Sequence, residues 1–503
     1  MVKFAQTGRP DRTEIHKFVA MSIQKLLLLF LSLSSLFPPV AGHAQDKWDL
    51  RRCVDYAVAN NISVKQADVQ ARLSKLTLEQ SQWNQIPILS LGTQFGVKSG
   101  NTQNPNTYTL STQTYTLNNW QLQSSVTAFN FSSIRKAIEA SRYSWQAALA
   151  NSEKTKNDIT LNVANAYLSV LLAIGTSQAA ELQLHLSQNQ LALTRKQVNA
   201  GALPELNAAE LESQVAQDSA TYVSTKGTIQ LDILTLKAYM GLDAATPFDV
   251  YTPPVEDIPV ESLADLQPDA VYAMALVHQP LQKMDSLNIV SARMNRDASK
   301  GAMYPTFSIV GSLGASWISP FPENDLSKPP SITTDTLYNF RQVGSNGVFV
   351  EDVPTYTTKN KPYFSQLHQT FNQFIGISVN IPILNNRTLR TAYDKSKLNL
   401  LNLQLTRDQD NLTLKQNIYQ AYTAAISSLQ KFEANKITVA ATQKSYDYAQ
   451  KRYNIGMLNT VDLLTQQNNF FNARINLLNS QFDYVFKMKV LEFYKGLGVK
   501  LSK

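Results

Sequence analysis

Arg195-Lys196-Gln197-Val198-Asn199-Ala200-Gly201-Ala202-Leu203 and Gln450-Lys451-Arg452-Tyr453-Asn454-Ile455-Gly456-Met457-Leu458 lie 255 positions apart and read alike. Each closes a long proline-free segment and opens another. The register persists outward: Tyr167 matches Tyr422, and Tyr239-Met240-Gly241-Leu242 matches Tyr494-Lys495-Gly496-Leu497. An internal repeat of this kind decides the fold class. It predicts a duplicated helix–glycine turn–helix unit. Neither proline nor glycine occurs between Pro382 and Gly456. A helix of roughly 65 residues would be about 100 Å long, far beyond what a compact domain uses.

The first 44 residues read as a leader. Lys25 precedes an apolar run from Leu26 to Phe37, and Gly42-His43-Ala44 offers the small residues a signal peptidase reads. Met21 is the expected true start. The run is too short to span a bilayer as a helix, and no later stretch reaches 18 consecutive apolar residues, so no transmembrane helix is expected. Without the leader the net charge falls from +8 to about +5, which gives no ground for nucleic-acid binding.

Cys53 is the only cysteine, so no intrachain disulfide forms, and Ala57 four residues on suggests a buried helix face. The five histidines show no ligand spacing. No phosphate loop, zinc pattern or nucleophile elbow is present, so no metal, cofactor or catalytic residue is assigned and an enzyme is not expected.

The long segments carry a seam in alternating steps of four and three. In the first half it runs Val163, Ala166, Val170, Ala173, Ser177, Ala180, Leu184, Ser187, Leu191, Thr194, Val198; in the second it runs from Leu414 through Ile418, Ala421, Ala425 and Ser428 to Tyr453. A sustained 3.5 spacing is a coiled-coil seam. Its many Ala, Ser and Thr positions suit helices laid closely around a hollow, whereas a plain two-helix coil would be richer in leucine. Gly456 is suited to end a helix, and Asn459 to cap the next with Asp462 as capping-box acid and Leu458/Leu463 as staple. Gly201 and Pro204 take the same roles in the first half.

Between the helices lie four segments of period-two alternation, 88–97, 120–129, 306–317 and 371–381. Leu89, Leu91, Phe95, Trp120, Leu122, Val126, Phe307, Ile309, Leu313, Trp317, Ile375, Ile377 and Val379 fall on the bulky apolar face; Ser, Gly, Gln and Asn dominate the other. Ten to twelve residues is the length a tilted strand needs to cross a bilayer. Four strands cannot close a barrel, and lipid tolerates no open edge. Three chains, giving twelve strands, would close one. Residues 98–118 and 318–366 read as polar loops. The expected organisation is a leader over 1–44, a first repeat over 45–258 with its hairpin at 88–131, and a second over 259–503 with its hairpin at 306–383. The fold class is mostly α with a membrane β-barrel: long-helix hairpins form a periplasmic tunnel below four strands per chain.

Here the chain resembles the TolC family of outer-membrane efflux and export channels. The stretch Trp48-Asp49-Leu50-Arg51-Arg52-Cys53-Val54-Asp55-Tyr56-Ala57-Val58-Ala59-Asn60-Asn61 looks like its N-terminal signature. Pro87 and Pro305 look like its strand transition, and Ile455-Gly456 with Asp462-Leu463-Leu464 like its periplasmic turn. The resemblance covers about residues 46–500. It implies a homotrimer in the outer-membrane lipid, with a twelve-stranded barrel continued by a twelve-helix tunnel. It also implies docking to a periplasmic adaptor and, through it, to an inner-membrane pump. The sequence departs from the family at Leu458, where some members carry Arg, and at Thr465, where a second acid is usual.

The function expected is a passive exit duct for an efflux pump or a type I secretion system. The alternative is an exported structural coiled coil or surface protein without a pore, which would need no lipid-facing hairpins. Asp462 is the candidate periplasmic gate, as one ring of carboxylates. The turns Ala200, Gly201, Ala202, Leu203 and Ile455, Gly456, Met457, Leu458 are the candidate adaptor-docking tips.

Overall fold

The computed structural model describes residues 47–103, 110–253, 258, 261–336 and 350–496. The leader and the Met21 start lie outside the described residues. The chain runs α1 (Leu50–Asn60), α2 (Ile62–Trp83), β1 (Ile88–Gln103), β2 (Leu110–Phe129), α3 (Ser133–Asn199) and α4 (Glu205–Met240). A short 3₁₀ turn then leads into α5 (Pro268–His278), α6 (Pro280–Gly301) and β3 (Thr306–Ser319). After it come β4 (Pro322–Asn324), β5 (Ser331–Thr336), β6 (Val350–Thr355), β7 (Thr358–Asn360) and α7 (Tyr363–Thr370). The chain closes with β8 (Asn372–Asn380), α8 (Thr388–Asn454) and α9 (Thr460–Lys495).

The same element order occurs twice. α3 and α8 are each 67 residues long, and α4 and α9 are each 36, all offset by 255 positions. α1 and α5 match at 11 residues, and α2 and α6 at 22, but at an offset of 218. The second hairpin therefore carries 37 more residues than the first. Backbone specials repeat as well: Phe131 and Ser132, at the joint from strand to helix, take positive φ, and so do Asn386 and Arg387 255 positions on. The left-handed region is unfavourable for side-chain-bearing residues, so its recurrence at both joints marks a required bend.

The predicted seam is the packing seam. Val163, Ala166, Val170, Ala173, Ser177, Ala180, Leu184, Ser187 and Thr194 are all buried. The main core gathers where α1 lies against the middle of α3, with Cys53, Ala57, Val163, Val170 and Leu171 fully buried together. Tyr167 donates its hydroxyl to the Tyr251 carbonyl at 2.6 Å, tying a loop to this waist. The equivalent Tyr422 packs at the edge of a second core of Leu266, Val271, Ala275, Ile418, Met488 and Leu491. By length and composition, α3 is apolar enough to cross a membrane, contrary to the sequence expectation. Its apolar residues make the core instead: Val163, Leu168, Val170 and Leu171 are buried against neighbouring helices.

The strands form one antiparallel sheet in the order β1-β2-β3-β8. β1 and β3 begin where expected and β8 one residue later, but β2 begins at Leu110, ten residues before the expected 120, and β1 runs on to Gln103, so both occupy the Asn/Thr/Gln-rich stretch expected as loop. Thr114 and Ser99 share a hydroxyl bond there at 2.7 Å, and polar side chains of this kind pair across a hairpin as well as apolar ones do. The polar segment 318–366 is also more ordered than expected, holding the two small sheets β4/β7 and β5/β6 and part of α7. Above the pair Gly314/Asn372, β3 has no β8 partner. The helix α7 takes over that edge: Gln366 donates to the Ile318 carbonyl and accepts from its N–H, both at 3.0 Å. Thr370 does the same for Ser316 at 2.7 and 2.9 Å. Two side chains thus extend the ladder where the strand stops.

Candidate functional site

Residues paired across an antiparallel ladder point to one face, so the register decides where the apolar residues lie. Leu91 pairs with Leu122, and Leu122 with Leu313. Val126 pairs with Ile309, Ile309 with Ile377, and Phe307 with Val379. Ile375 lies opposite Gly311, Trp120 opposite Thr93 and Ala315, and Phe95 and Trp317 both opposite Asn118. With Leu89 two residues before Leu91, all thirteen residues singled out from the sequence share one face. The other face carries Ser90, Gly92, Gln123, Ser125, Ser308, Ser312 and Ser378, interrupted by Ile88, Leu117, Val310 and Phe374.

Most of the apolar face is left open by the chain's own helices. Leu89, Leu91, Phe95, Ile375 and Ile377 are among the most exposed apolar side chains described. Aromatic clusters mark its two ends. At the helix-proximal end Phe129 packs on Phe131 and Phe307, with ring centroids 4.9 and 6.1 Å apart, and Tyr304 stacks on Phe131. At the far end Tyr363 meets Trp317 at 5.4 Å and accepts a hydrogen bond from the Trp120 indole at 2.9 Å. Sequence reasoning named Trp120, Phe307 and Trp317; it missed Tyr363, because only the insertion's helix brings it to the sheet.

The two helical tips are built alike. Gly201 and Gly456 take φ of +75° and +77°, the left-handed conformation that only glycine adopts without strain. Ala202 N–H returns to the Gln197 carbonyl and Met457 N–H to the Arg452 carbonyl, each at 2.8 Å, so both helices end in a Schellman turn. Pro204 sits one residue earlier than expected, at the N-cap of α4. Asn459 caps α9 as read from the sequence, accepting from Asp462 N–H at 2.7 Å. Leu458 packs beside Leu463, as a hydrophobic staple requires. Ala200, Gly201, Ala202, Ile455, Gly456 and Met457 are exposed at these turns or close to it, with Leu203 and Leu458 half-buried. The tips are tied across the repeats by Thr194 and Tyr453, whose hydroxyls lie 3.0 Å apart.

Asp462 is exposed, and among the described residues its carboxylate has no hydrogen-bonded or ionic partner. It therefore contributes only its backbone N–H to the cap, not the reciprocal bond of a full capping box. Above the tips a buried polar network joins three helices. Asp218 accepts from Ser187 at 2.5 Å and from Gln214 at 2.8 Å, and Gln467 donates to Ser187 at 3.0 Å. Nothing in the periodicity marks Asp218, because this network is assembled from three different helices.

Among the described residues no group of three or more His, Cys, Asp or Glu side chains is placed to hold a metal ion. The profile of the Outer membrane efflux protein family matches residues 54–242 and 357–489. Outer membrane protein TolC of Salmonella enteritidis is 20% identical over 347 residues, 67% of this chain and 61% of the relative's length. Toluene efflux pump outer membrane protein TtgC of Pseudomonas putida is 20% identical over 374 residues, 73% of this chain and 66% of its own. The matches thus span just under two thirds of these relatives. The solved structure of CusC superposes with a TM-score of 0.70 at 16% identity, covering 92% of this chain and 95% of that one. The chain shares its fold with that solved structure, and it belongs to the Outer membrane efflux protein family, a family of the outer membrane.

Proposed function

We propose that the chain is one third of a trimeric exit duct in the outer membrane, a passive conduit driven by an inner-membrane pump through a periplasmic adaptor. The observation that carries this reading is the inequivalence of the two repeats. Within the chain, β2 pairs with β3 and α3 packs on α6. Among the described residues the equivalent strands, β8 and β1, do not pair in one chain: they are the two open edges of the sheet. Repeating the internal contact between chains pairs β8 of one copy with β1 of the next. Three copies then give a closed ring of twelve strands, which satisfies every ladder edge as lipid demands.

Dimensions support the membrane assignment. From Phe307 to Trp317 the strand rises about 33 Å, and a tilt of about 40° reduces this to about 25 Å, the height of an outer-membrane apolar band. The thirteen face residues would then meet lipid, and the Ser/Gly/Gln face would line water. The tips, about 100 Å of helix away from the sheet, would meet the adaptor, and Asp462 would form one carboxylate ring. The pore-free coiled-coil alternative leaves the apolar face and both edges unexplained. Light scattering in mild detergent and conductance in planar bilayers test the reading. A trimer with discrete conductance steps is expected; a stable monomer with full strand content overturns it.

A further inference from the structure

The sheet face that would line water carries a single charge. Among the residues of β1, β2, β3 and β8, Lys98 alone has a charged side chain. Strand side chains alternate, so Lys98 shares a face with Ser90, Gly92 and Gln94, opposite to Leu91, Phe95 and Val97. It pairs across the β1/β2 ladder with Tyr115, whose ring therefore stands beside it on that face. Lys98 is exposed and Tyr115 half-buried. Phe374 is the bulky exception on the same face of β8. It pairs with Ser312, is 61% exposed, and reaches over Gly376, where a Cβ would come within 2.7 Å of the ring.

In one chain Lys98 and Phe374 stand on the two open edges of the sheet. The repeat determines how those edges would meet in the proposed trimer, on which this inference rests. β1 matches β3 at an offset of 218 and β2 matches β8 at 255, and the two hairpins agree: the pair Leu91/Leu122 becomes the pair Ile309/Ile377. By the same offsets the β2/β3 pair Asn119/Ser316 becomes Phe374 of one copy opposite Lys98 of the next. Directly opposed side chains have Cβ atoms about 5 Å apart, within reach of a cation–π contact. The junction inside the chain has only Asn119 and Ser316 at this place, so the site would arise between chains alone. We propose that Lys98, between Tyr115 of its own chain and Phe374 of the next, forms an anion-selective ring in the barrel that favours small aromatic carboxylates as cargo. Rings of Lys or Arg favour anions in pores, and no acidic residue on the four strands neutralises this one. The ammonium would take the carboxylate, and the two rings the aromatic body. Asp462, about 100 Å of helix away, lies many Debye lengths beyond its reach.

The test uses the full-length protein. In the double variant Lys98→Cys with Phe374→Cys, a short bismaleimide should link chains on denaturing gels, and neither single variant should link, since Cys53 is buried. A trimer of the double variant that does not link overturns the register and leaves the duct standing. A wild type that forms no trimer overturns the duct, and this site with it. In planar bilayers under a potassium chloride gradient, Lys98→Glu should lower the anion-to-cation permeability ratio about threefold or more, with Lys98→Gln intermediate. Sodium benzoate added on the barrel side should reduce the single-channel current where sodium acetate does not, and Phe374→Leu should weaken that block about two- to tenfold. An unchanged permeability ratio in Lys98→Glu overturns the selective ring. Equal action of benzoate and acetate, or a block that survives both Phe374→Leu and Lys98→Gln, overturns the preference for aromatic anions.

Discussion

Leu405 stands in the second repeat where Ala150 stands in the first, and their surroundings are opposite: Ala150 is 4% exposed and Leu405 59%. Ala150 faces the interface of α3 with its neighbours, which the chain itself completes. Leu405, with Leu398, Leu401 and Leu412, lines a face of α8 left uncovered by its own chain. The face that the proposed trimer would bring against it is on α2, where Val69, Leu73 and Leu76 are exposed although their α6 counterparts include the buried Ser291. In the proposed trimer, leucine would fill between chains the space that small residues leave within one.

Leu405→Glu should therefore block assembly while leaving the chain helical. Burying a leucine contributes about 1.5–3 kcal/mol per site, and a glutamate there would cost more because its charge is desolvated. Light scattering should show monomer, with helix content unchanged by circular dichroism. A trimer of normal stability would show that this face of α8 is not the seam.

The alternation of β8 makes a second forecast. Ile377 pairs with Ile309 on the apolar face, and Ser378 pairs with Ser308 on the other. Ile377→Arg should cost about 2–4 kcal/mol of assembly free energy near the midplane, and Ser378→Arg far less. Heat-resistant trimer on gels reads the difference. Equal losses would mean the apolar face is not turned to lipid.

Much of this was legible in the sequence, for definite reasons. The small-residue seam and the glycine turns are local patterns, and the 255-residue register links the two halves without any alignment. The apolar faces were legible because strands alternate. The ends of β1 and β2 were not, since Ser99, Asn101, Thr112 and Thr114 pair through hydroxyl and amide groups that read as loop. The ladder made by Gln366 and Thr370 was illegible too, because side chains standing in for a strand leave no periodic trace. Buried clusters such as Asp218 with Ser187 depend on contacts between distant segments, which periodicity alone does not reveal.

Asp285 supplies a pH forecast. Its carboxyl is raised from the ordinary carboxylate range to about 6 by burial and by the Asp410 carboxyl, with Arg407 opposing. The folded chain therefore binds a proton more tightly than the unfolded one. Stability from this group is present below about pH 4 and is lost as pH rises through about 6, a change of order 2–3 kcal/mol per chain. Asp285→Asn should raise the thermal midpoint at pH 7 and flatten its dependence between pH 4 and 6. A variant with the wild-type slope would place that proton elsewhere.

Met457 is exposed at the second tip beside exposed Ile455, while Leu458 is occupied in packing on Leu463. Met457→Glu should leave the trimer and its melting intact but abolish site-specific cross-linking to the adaptor and reduce efflux in cells. Because the side chain makes no core contact, a large loss of stability would contradict the structure. Cross-linking at wild-type strength would remove Met457 from the docking surface.

Asp462 separates a gate from a cap. Its backbone N–H is held by Asn459 at 2.7 Å, while its carboxylate is exposed. An acid in the first turn of a helix contributes about 0.3–1 kcal/mol through the helix dipole. Asp462→Asn keeps the backbone bond and removes only the charge, so melting should change little. Three such carboxylates drawn together around an axis would attract cations and bind a trivalent one. Thr465, a turn further on, offers no second ring, so selectivity would rest on Asp462 alone. In planar bilayers the variant should lose most of its cation preference and its block by a trivalent cation. If both persist and only the melting midpoint falls, Asp462 serves the helix end and the constriction is set by other residues.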